Sequence, residues 1–287
     1  MWLADKWEDY KILDTSTGEK LEMWGKYSLI RPDPQVIWKT EKKNPLWQRA
    51  DASYTRSRSG GGAWNGNKLP ETWVISYRDL RFLIKPMGFK HTGLFPEQAA
   101  NWDWFRGLIE NAKRPIKVLN LFAYTGGATV AAAKAGASVC HVDASKGMVA
   151  AAKENARLSG LENAPIRYIV DDCKKFIERE IRRGNKYDAI IMDPPSYGRG
   201  PTGEVWKIEE AIDDFVALSQ KVLSDNPLFF LLNSYTTGLS ASTMKYITDT
   251  RLLGKHKGTS VADELGIPVL DTGLALPCGS SVRVTFD

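Results

Sequence analysis

The amino-acid sequence predicts an α/β fold, in which a mostly parallel sheet forms the larger, C-terminal part and a small β-rich domain precedes it. Two observations support this prediction. From residue 116 onwards, predicted strands alternate with predicted helices, which is typical of parallel strands joined by right-handed crossovers. Between residues 10 and 85, short runs rich in aromatic and β-branched residues are separated by Gly, Pro, Asp and Asn, which is typical of short strands broken by turns.

The β-rich domain is predicted to span residues 1–87, with strands at 10–15, 20–25, 35–40, 72–77 and 80–85. Six of the ten tryptophans fall within its first 64 residues. Large side chains fill a small core efficiently, so we interpret most of these tryptophans as core residues. A stacking surface for bases is the alternative interpretation.

The larger domain, residues 88–287, is predicted to contain a seven-stranded sheet. Strands are predicted at 116–122, 138–142, 166–170, 188–192 and 227–232, and helices at 127–134, 146–159, 173–183 and 209–224. Two further strands, 270–276 and 281–286, flank the sequence Pro-Cys-Gly-Ser. We expect them to form an antiparallel hairpin at the edge of an otherwise parallel sheet.

Composition limits the function classes. The sequence contains no run of 18 uncharged apolar residues and begins with an acidic, aromatic segment, so neither a transmembrane helix nor a signal peptide is predicted. The three cysteines are scattered without a Cys-x-x-Cys pair, which indicates a cytoplasmic protein without a structural metal. The net charge of +5, concentrated in the first hundred residues, suits an anionic partner such as RNA but is also common on solvated surfaces.

A glycine turn follows the first strand of the larger domain, in the sequence Asn-Leu-Phe-Ala-Tyr-Thr-Gly-Gly at 120–127. A dinucleotide requires close approach of its pyrophosphate to backbone N–H groups, and hence glycines early in the loop. Phe122, Ala123 and Tyr124 occupy those early positions here. A loop that keeps only Gly126 and Gly127 suits S-adenosyl-L-methionine better, because that cofactor contains adenosine but no phosphate.

Acidic residues end the next three predicted strands: Asp143, the pair Asp171–Asp172, and Asp193. The carboxyl ends of parallel strands meet at the edge where ligands bind. An acid in the position of Asp143 is suited to accept hydrogen bonds from two ribose hydroxyls. Asp172 is a candidate partner for the adenine amino group. Helix capping is the alternative role for both residues.

These segments, together with "HTGLFPEQAANWDW" (91–104), "YDAIIMDPPSYGRG" (187–200) and "LPCGSSVR" (276–283), resemble a Rossmann-like class I S-adenosylmethionine-dependent methyltransferase. More narrowly, they resemble the bacterial family of large-subunit rRNA methyltransferases that act on cytosine C5 or guanine N7. The resemblance runs from about His91 to the C-terminus and implies that Phe95 and Gln98 contact the cofactor. The complete predicted cofactor set is Phe95, Gln98, Asn120, Phe122, Ala123, Tyr124, Thr125, Gly126, Gly127, Asp143, Ala144, Ser145, Asp171, Asp172, Cys173 and Asp193.

The catalytic residues are predicted in the sequence Asp-Pro-Pro-Ser-Tyr, as Asp193, Pro194, Pro195 and Tyr197. Proline fixes φ and has no N–H, so a Pro-Pro pair can hold a carbonyl rigidly towards the site. That carbonyl and the Asp193 side chain are suited to accept hydrogen bonds from a base amino group, while Tyr197 stacks on the base. The sequence resembles the Asp/Asn-Pro-Pro-Tyr signature of methyltransferases that modify planar nitrogen groups, with one extra residue before the tyrosine. A merely rigid turn is the alternative interpretation.

Methylation at cytosine C5 requires a cysteine nucleophile near this turn. The sequence has Ser196 after the prolines and Asn233-Ser234-Tyr235 after the fifth strand, which argues against C5 chemistry. The leading hypothesis is therefore methylation of a base nitrogen in RNA, with large-subunit rRNA as partner. The alternatives are methylation of a protein side-chain amide or small planar metabolite, and a non-catalytic RNA-binding relic. The loop at 198–211, with Arg199 and Lys207, is expected to cover the substrate.

Overall fold

The computed structural model describes residues 1–57, 61–66, 68–199 and 205–287. The chain forms two compact units. The N-terminal unit comprises Trp2–Ala100 and Leu265–Cys278, and the sheet unit comprises Met1, Asn101–Glu264 and Gly279–Asp287. The compact units therefore change over at residue 100, and the division at residue 87 stays a prediction about domains.

The described residues contain seventeen strands. The strands are β1 (Trp2–Leu3), β2 (Tyr10–Ser16), β3 (Glu19–Trp24), β4 (Tyr27–Pro32), β5 (Ala52–Arg56), β6 (Gly62–Asn65), β7 (Trp73–Tyr77), β8 (Leu80–Ile84), β9 (Lys117–Leu121), β10 (Ser138–Asp143), β11 (Ile166–Val170), β12 (Ala189–Met192), β13 (Tyr197–Arg199), β14 (Val205–Lys207), β15 (Phe229–Ser234), β16 (Gly258–Pro268) and β17 (Ala275–Phe286).

Seven α-helices lie in the same described part of the chain, and none of its helices is long and apolar enough to span a membrane. The helices are α1 (Leu46–Arg49), α2 (Ala99–Asn111), α3 (Gly127–Lys134), α4 (Lys146–Leu158), α5 (Cys173–Arg183), α6 (Ile208–Gln220) and α7 (Ala241–Thr248). Side chains cap several of them. The Asp172 carboxylate, for example, accepts a hydrogen bond from the Lys175 amide at 2.9 Å, which satisfies an N–H group at the start of α5.

The predicted α/β fold is confirmed. The large sheet has the order β1-β16-β17-β15-β12-β9-β10-β11. Strand β9 pairs in parallel with β10 on one side and with β12 on the other, so the direction of winding reverses between β9 and β12. Strand β17 runs antiparallel to β15. The sheet has eight strands rather than the seven predicted. Strands β1 and β16, which pair at Leu265–Gly266, were not predicted, and the predicted strand at 270–276 is wrong because most of it lies before β17 begins at Ala275.

The hairpin at the C-terminal end differs from its prediction. The sequence Pro-Cys-Gly-Ser is not a turn but lies inside the long strand β17. The turn falls instead at residues 270–273, where Val269 donates to the Leu274 carbonyl at 2.8 Å and Gly273 has φ +69°. Gly279 is required for packing, since a Cβ there would lie 2.9 Å from the Ser234 carbonyl oxygen. Gly279 is therefore needed for close packing, and its interpretation as a turn residue was wrong.

The N-terminal unit contains a five-stranded sheet, β2-β3-β4-β5-β6, and a two-stranded sheet, β7-β8. Four of the five strands predicted in this part are present. The predicted strand at 35–40 is wrong, and β4, β5 and β6 were not predicted. Residues 35–40 instead bond irregularly to the β2–β3 turn, where Thr17 donates to the Trp38 carbonyl at 2.9 Å.

A buried ion pair joins β3 to β4 within this unit. The Glu22 side chain is fully buried, and Arg31 donates to both of its oxygens, at 2.6 and 2.8 Å. The Tyr10 hydroxyl donates to the same carboxylate at 2.6 Å. Burial alone would raise the pKa of Glu22, but the charges of Arg31 and Lys20 outweigh it and lower the pKa to about 2.

Candidate active site

The site is built on the carboxyl ends of four adjacent parallel strands. Leu121, the last residue of β9, lies beside Val142 of β10 and beside Met192 of β12. Asp143, the last residue of β10, lies beside Val170 of β11. Because these ends share one edge at the reversal of winding, the residues that follow them meet where ligands bind in open α/β sheets.

The loop after β9 is strongly curved. Phe122, Tyr124 and Gly126 all have φ in the left-handed region, at +53°, +50° and +80°. A non-glycine residue is uncommon there, and two within three residues indicate a tightly determined loop.

The curvature turns the loop's own N–H groups towards protein acceptors. Ala123 donates to the Val142 carbonyl at 3.1 Å, Tyr124 donates to the Asp143 carboxylate at 2.8 Å, and Gly126 donates to the Ala123 carbonyl at 2.9 Å. A pyrophosphate would need such N–H groups to point at it. These three N–H groups are therefore not directed at a phosphate, and the preference of the loop for a nucleoside without phosphates stays a prediction.

The two glycines of the loop are explained by packing. A Cβ on Gly126 would lie 2.7 Å from the Ala152 Cβ of α4, and a Cβ on Gly127 would lie 2.7 Å from the Trp102 ring. Both distances are too short for real side chains, so glycine lets α4 and Trp102 approach the start of α3 closely. Thr125 contributes its carbonyl, which accepts a hydrogen bond from Asn155 at 2.8 Å.

Asp143 connects the loop to the turn that follows β10. One carboxylate oxygen accepts from the Tyr124 amide and the other from the Ser145 amide, both at 2.8 Å. Burial raises the pKa of Asp143, and these two hydrogen bonds partly offset the shift. Asp143 does not cap α4. Ser145 does so, because its hydroxyl accepts from the Met148 amide, and Ala144 lies between the two.

The three residues after β11, which are Asp171, Asp172 and Cys173, each make a different contact. Asp171 donates its amide to the Asp143 carbonyl at 3.1 Å and forms an ion pair with Arg179. Asp172 is the N-cap of α5. Cys173 accepts a hydrogen bond at sulfur from the Phe122 amide at 3.3 Å, and burial raises its pKa. The adenine contact of Asp172 stays a prediction, alongside the capping role that the structure describes.

A buried polar chain lies under the loop and was not predicted as a chain. Asn120 donates its amide to the Thr129 hydroxyl, and that hydroxyl lies 2.9 Å from Nδ1 of His141. All three side chains are buried. Burial lowers the pKa of His141 to about 4, so the ring is neutral at physiological pH. No single residue signals this chain in the sequence, because its members come from β9, α3 and β10.

The Asp-Pro-Pro-Ser-Tyr segment forms a corner beside the loop, directly after β12. We call residues 193–197 the double-proline corner. The Asp193 amide lies 3.5 Å from the Leu121 carbonyl at the end of β9. Ser196 bonds through its hydroxyl to the Thr236 hydroxyl at 2.6 Å, and its carbonyl accepts from the Ile208 amide at 3.1 Å. Tyr197 follows with 51% of its surface exposed.

Trp206 is a residue of this site that the sequence interpretation missed. Its indole Nε1–H donates to the Pro195 carbonyl at 2.6 Å, and its ring lies 5.4 Å from that of Phe122, centroid to centroid. The predicted loop at 198–211 is in part a hairpin of β13 and β14, followed at Ile208 by α6. Residues 200–204 of that prediction lie outside the described residues.

Phe95 and Gln98 belong to the N-terminal unit. Phe95 precedes a short 3₁₀ helix, Pro96–Gln98, and its ring lies 5.8 Å from that of His91. The Gln98 side chain is buried. The contact of either residue with the cofactor stays a prediction.

The cysteines do not provide a nucleophile at the corner. Cys140 and Cys173 are buried, and burial raises the pKa of both thiols. Cys278 belongs to the N-terminal unit, and burial raises its pKa as well. Nucleophilic attack requires the thiolate form, so these positions favour the protonated, unreactive state.

Comparison with known proteins identifies the family. A family described as S-adenosylmethionine-dependent methyltransferase matches residues 50–208 of the chain. The chain belongs to this family. The S-adenosylmethionine-dependent methyltransferase from Agrobacterium tumefaciens, which has a crystal structure, is 40% identical in sequence to this chain. The two structures superpose with a TM-score of 0.91, and the match covers 97% of this chain and 91% of that one.

Two rRNA methyltransferases align with about half of this chain. Ribosomal RNA large subunit methyltransferase I of Aeromonas salmonicida is 30% identical over 157 residues, 53% of this chain. Ribosomal RNA large subunit methyltransferase K/L of Shewanella frigidimarina is 34% identical over 148 residues, 51% of this chain. The aligned part covers 38% of the first relative and 20% of the second.

Proposed function

We propose that this protein transfers a methyl group from S-adenosyl-L-methionine to a base nitrogen of RNA, with large-subunit rRNA as the substrate and the cytoplasm as its location. The observation that carries the proposal is the double-proline corner, which follows β12 next to the loop and Asp143 at the edge of the sheet. The names of the two curated relatives support rRNA as the substrate class.

Asp143 and the loop are proposed to hold the cofactor. The carboxylate is fixed by two backbone N–H groups, so its remaining lone pairs have defined directions for two ribose hydroxyls. The N–H groups of Ala123, Tyr124 and Gly126 are engaged by the protein, so they do not contribute to phosphate binding. When bound, the cofactor supplies a methyl group that its sulfonium has already activated, so the protein's contribution is mainly alignment.

The corner is proposed to hold the target base. Its acceptors are the Asp193 carboxylate and the carbonyl of Pro194, since the Pro195 carbonyl already accepts the Trp206 indole N–H. Two acceptors in fixed positions accept hydrogen bonds from a planar amino group and so orient it. The same bonds increase the electron density on the nitrogen, whose lone pair attacks the methyl group. Tyr197, half exposed beside them, provides a ring on which an unstacked base can lie.

Cys140 and Cys173 are buried and their thiols have raised pKa values, which favours a nitrogen rather than cytosine C5 as the target. A substrate base must leave its stack to reach the corner, so we expect single-stranded or flipped-out nucleotides to react.

The test is transfer of a labelled methyl group. Purified protein is incubated with labelled cofactor and with rRNA from a strain that lacks the gene, and the modified nucleoside is identified by mass spectrometry. We expect label in RNA, and we expect Asp193→Ala to reduce the rate by about a hundredfold or more, because a group that aligns the substrate is lost. S-adenosylhomocysteine affinity, measured by calorimetry, should change little in this variant.

The matched control is Asp188→Ala. Asp188 precedes the same strand at its other end, where it accepts from Arg114 at 2.9 Å, away from the corner. Label found only in protein or in small molecules would contradict an RNA substrate and support the amide or metabolite alternative. Unchanged methylation in Asp193→Ala would refute the role of the corner.

A further inference from the structure

The proposed function leaves Trp206 without a role, although its indole is among the groups in direct contact with the double-proline corner. We infer that Trp206 is a positioning residue. It fixes the double-proline corner and the loop after β9, residues 122–127, in one arrangement, and we call this loop the cofactor loop. This inference rests on the proposed function, because the arrangement matters only if the two parts act on one reaction. Three observations within the sheet unit carry it.

The first observation is the direction of the Trp206 side chain. In the β13–β14 hairpin, Gly198 pairs with Trp206, and Tyr197 pairs with Lys207. Side chains alternate between the two faces of a strand, so Trp206 points to the opposite face from its neighbours Val205 and Lys207. Both neighbours are exposed, whereas Trp206 is partly buried. Of the three residues of β14, Trp206 is therefore the one directed to the interior of the sheet unit.

The second observation is the hydrogen bond. Trp206 donates its only polar hydrogen to the Pro195 carbonyl at 2.6 Å. Proline limits φ at residues 194 and 195, and this bond additionally limits rotation of the peptide plane after Pro195. The plane before it carries the Pro194 carbonyl, which is the proposed acceptor for the substrate. Trp206 thus acts on the substrate position through the backbone of the corner.

The third observation is the aromatic contact with the loop. The Trp206 ring lies 5.4 Å from Phe122 and 5.5 Å from Phe215, and those two rings lie 5.3 Å apart. Phe122 is the first residue of the cofactor loop, and its left-handed backbone leaves it little freedom to move. One side chain consequently touches the loop with its ring and the corner with its N–H group. Methyl transfer in line is sensitive to small displacements between these two parts.

The test separates the two contacts. Trp206→Phe keeps an aromatic ring against Phe122 but removes the N–H group, and Trp206→Leu removes both. Trp104→Phe is the matched control, because Trp104 packs on Phe229 in the same unit without contacting the corner. For Trp206→Phe we expect kcat with RNA to fall about three- to tenfold, as for the loss of one hydrogen bond, with unchanged affinity for S-adenosylhomocysteine. Trp206→Leu should lower both kcat and that affinity.

A second measurement keeps the inference testable if the wild type methylates no RNA, which would contradict the proposed function alone. Amide hydrogen exchange is followed in peptides covering residues 194–208. We expect faster exchange there in Trp206→Phe than in the wild type or Trp104→Phe, including at the Ile208 amide that bonds to the Ser196 carbonyl. Equal protection in the three proteins, or equal kcat in Trp206→Phe and Trp104→Phe, would overturn the inference.

Discussion

Asp143 shows at the scale of one residue how opposing effects determine the charge of a partly buried carboxylate. Burial disfavours its charge, whereas the amides of Tyr124 and Ser145 favour it, and burial is the larger effect. Its pKa therefore lies above the ordinary value of 3.8, and the group becomes protonated at a higher pH than an exposed aspartate. Only the ionised form offers all its lone pairs to two hydroxyl donors.

We therefore expect cofactor affinity to depend on mildly acidic pH. As pH falls through the raised pKa of Asp143, the affinity for S-adenosylhomocysteine should weaken by up to about tenfold per pH unit, because the acceptor form is lost. Calorimetric titrations between neutral pH and the lowest pH at which the protein remains folded would measure this. The affinity of Asp143→Asn should be lower and should vary little over the same range. A wild-type affinity that is flat with pH would contradict a direct contact between Asp143 and the cofactor.

At the scale of elements, the Glu22–Arg31 pair adds a buried side-chain link to the backbone pairing of β3 with β4. The two residues are buried, and the bidentate bond together with the Tyr10 hydroxyl occupies the carboxylate. Such a pair adds little net stability compared with a well-packed apolar pair, but removing Arg31 leaves the buried Glu22 charge with only the more distant Lys20, whose Nζ lies 3.6 Å away.

Arg31→Met should accordingly lower the free energy of unfolding by about 3–5 kcal/mol, and Glu22→Met with Arg31→Met together should lower it much less. Denaturant unfolding at neutral pH measures both. The pKa of Glu22, near 2, adds a second signature. A lowered folded-state pKa gives stability that is complete above the unfolded-state value near 4.5 and is lost as pH falls towards 2, so this loss should be absent from the double variant. Equal destabilisation of the single and double variants would contradict this account.

The order of elements was predictable because it depends on local patterns. The runs at β9, β10, β11, β12 and β15 are apolar and short, and each helix between them has its own pattern or cap. The hairpin at the C-terminal end was not predictable in the same way. Gly279 is a glycine because of the Ser234 carbonyl across the sheet, and Gly273 is a glycine because of its backbone φ, yet the sequence does not distinguish the two reasons.

The placement of Asp143 and Asp193 at the carboxyl edge of the sheet was predictable because each stands at the end of a single strand, while their roles in the site stay predictions. It was not predictable where the function of a residue depends on a distant partner. Trp206 contacts Pro195, eleven positions earlier, only because a hairpin returns the chain, and His141 reaches Asn120 only through Thr129. Packing also explains Gly126 and Gly127, which the sequence interpretation had related to the ligand.

At the scale of the whole molecule, the N-terminal unit is made from two separate segments of chain. Its second segment, Leu265–Cys278, bonds to β2, where Leu270 donates to the Ile12 carbonyl at 3.0 Å and Asp271 to that of Leu13 at 2.9 Å. Leu265, Ile267, Val269 and Leu276 of this segment are buried. The first hundred residues are therefore not a detachable module.

Deleting residues 1–100 alone should produce a fragment that aggregates, because the four apolar side chains of the second segment lose their cover. In a second fragment, residues 1–100 are deleted and residues 265–278 are replaced by a short turn that joins Glu264 to Gly279. This fragment should stay monomeric at higher concentration. Sedimentation analysis and thermal melting compare the two. Equal behaviour would show that the second segment is stable without the first.

The curved loop after β9 also affects which molecules can bind the candidate site in place of the methyl donor. Phosphorylated adenosines such as ATP share the nucleoside half of the methyl donor, so the ribose contact proposed for Asp143 cannot by itself distinguish them. The distinction falls to the backbone, whose amides at Ala123, Tyr124 and Gly126 are already committed to acceptors of the protein. A phosphate arriving there could not bind these three amides without displacing a protein acceptor, and the neighbouring Asp143 charge would repel it. On the proposed function, discrimination against ATP would therefore depend in part on the main chain of this loop.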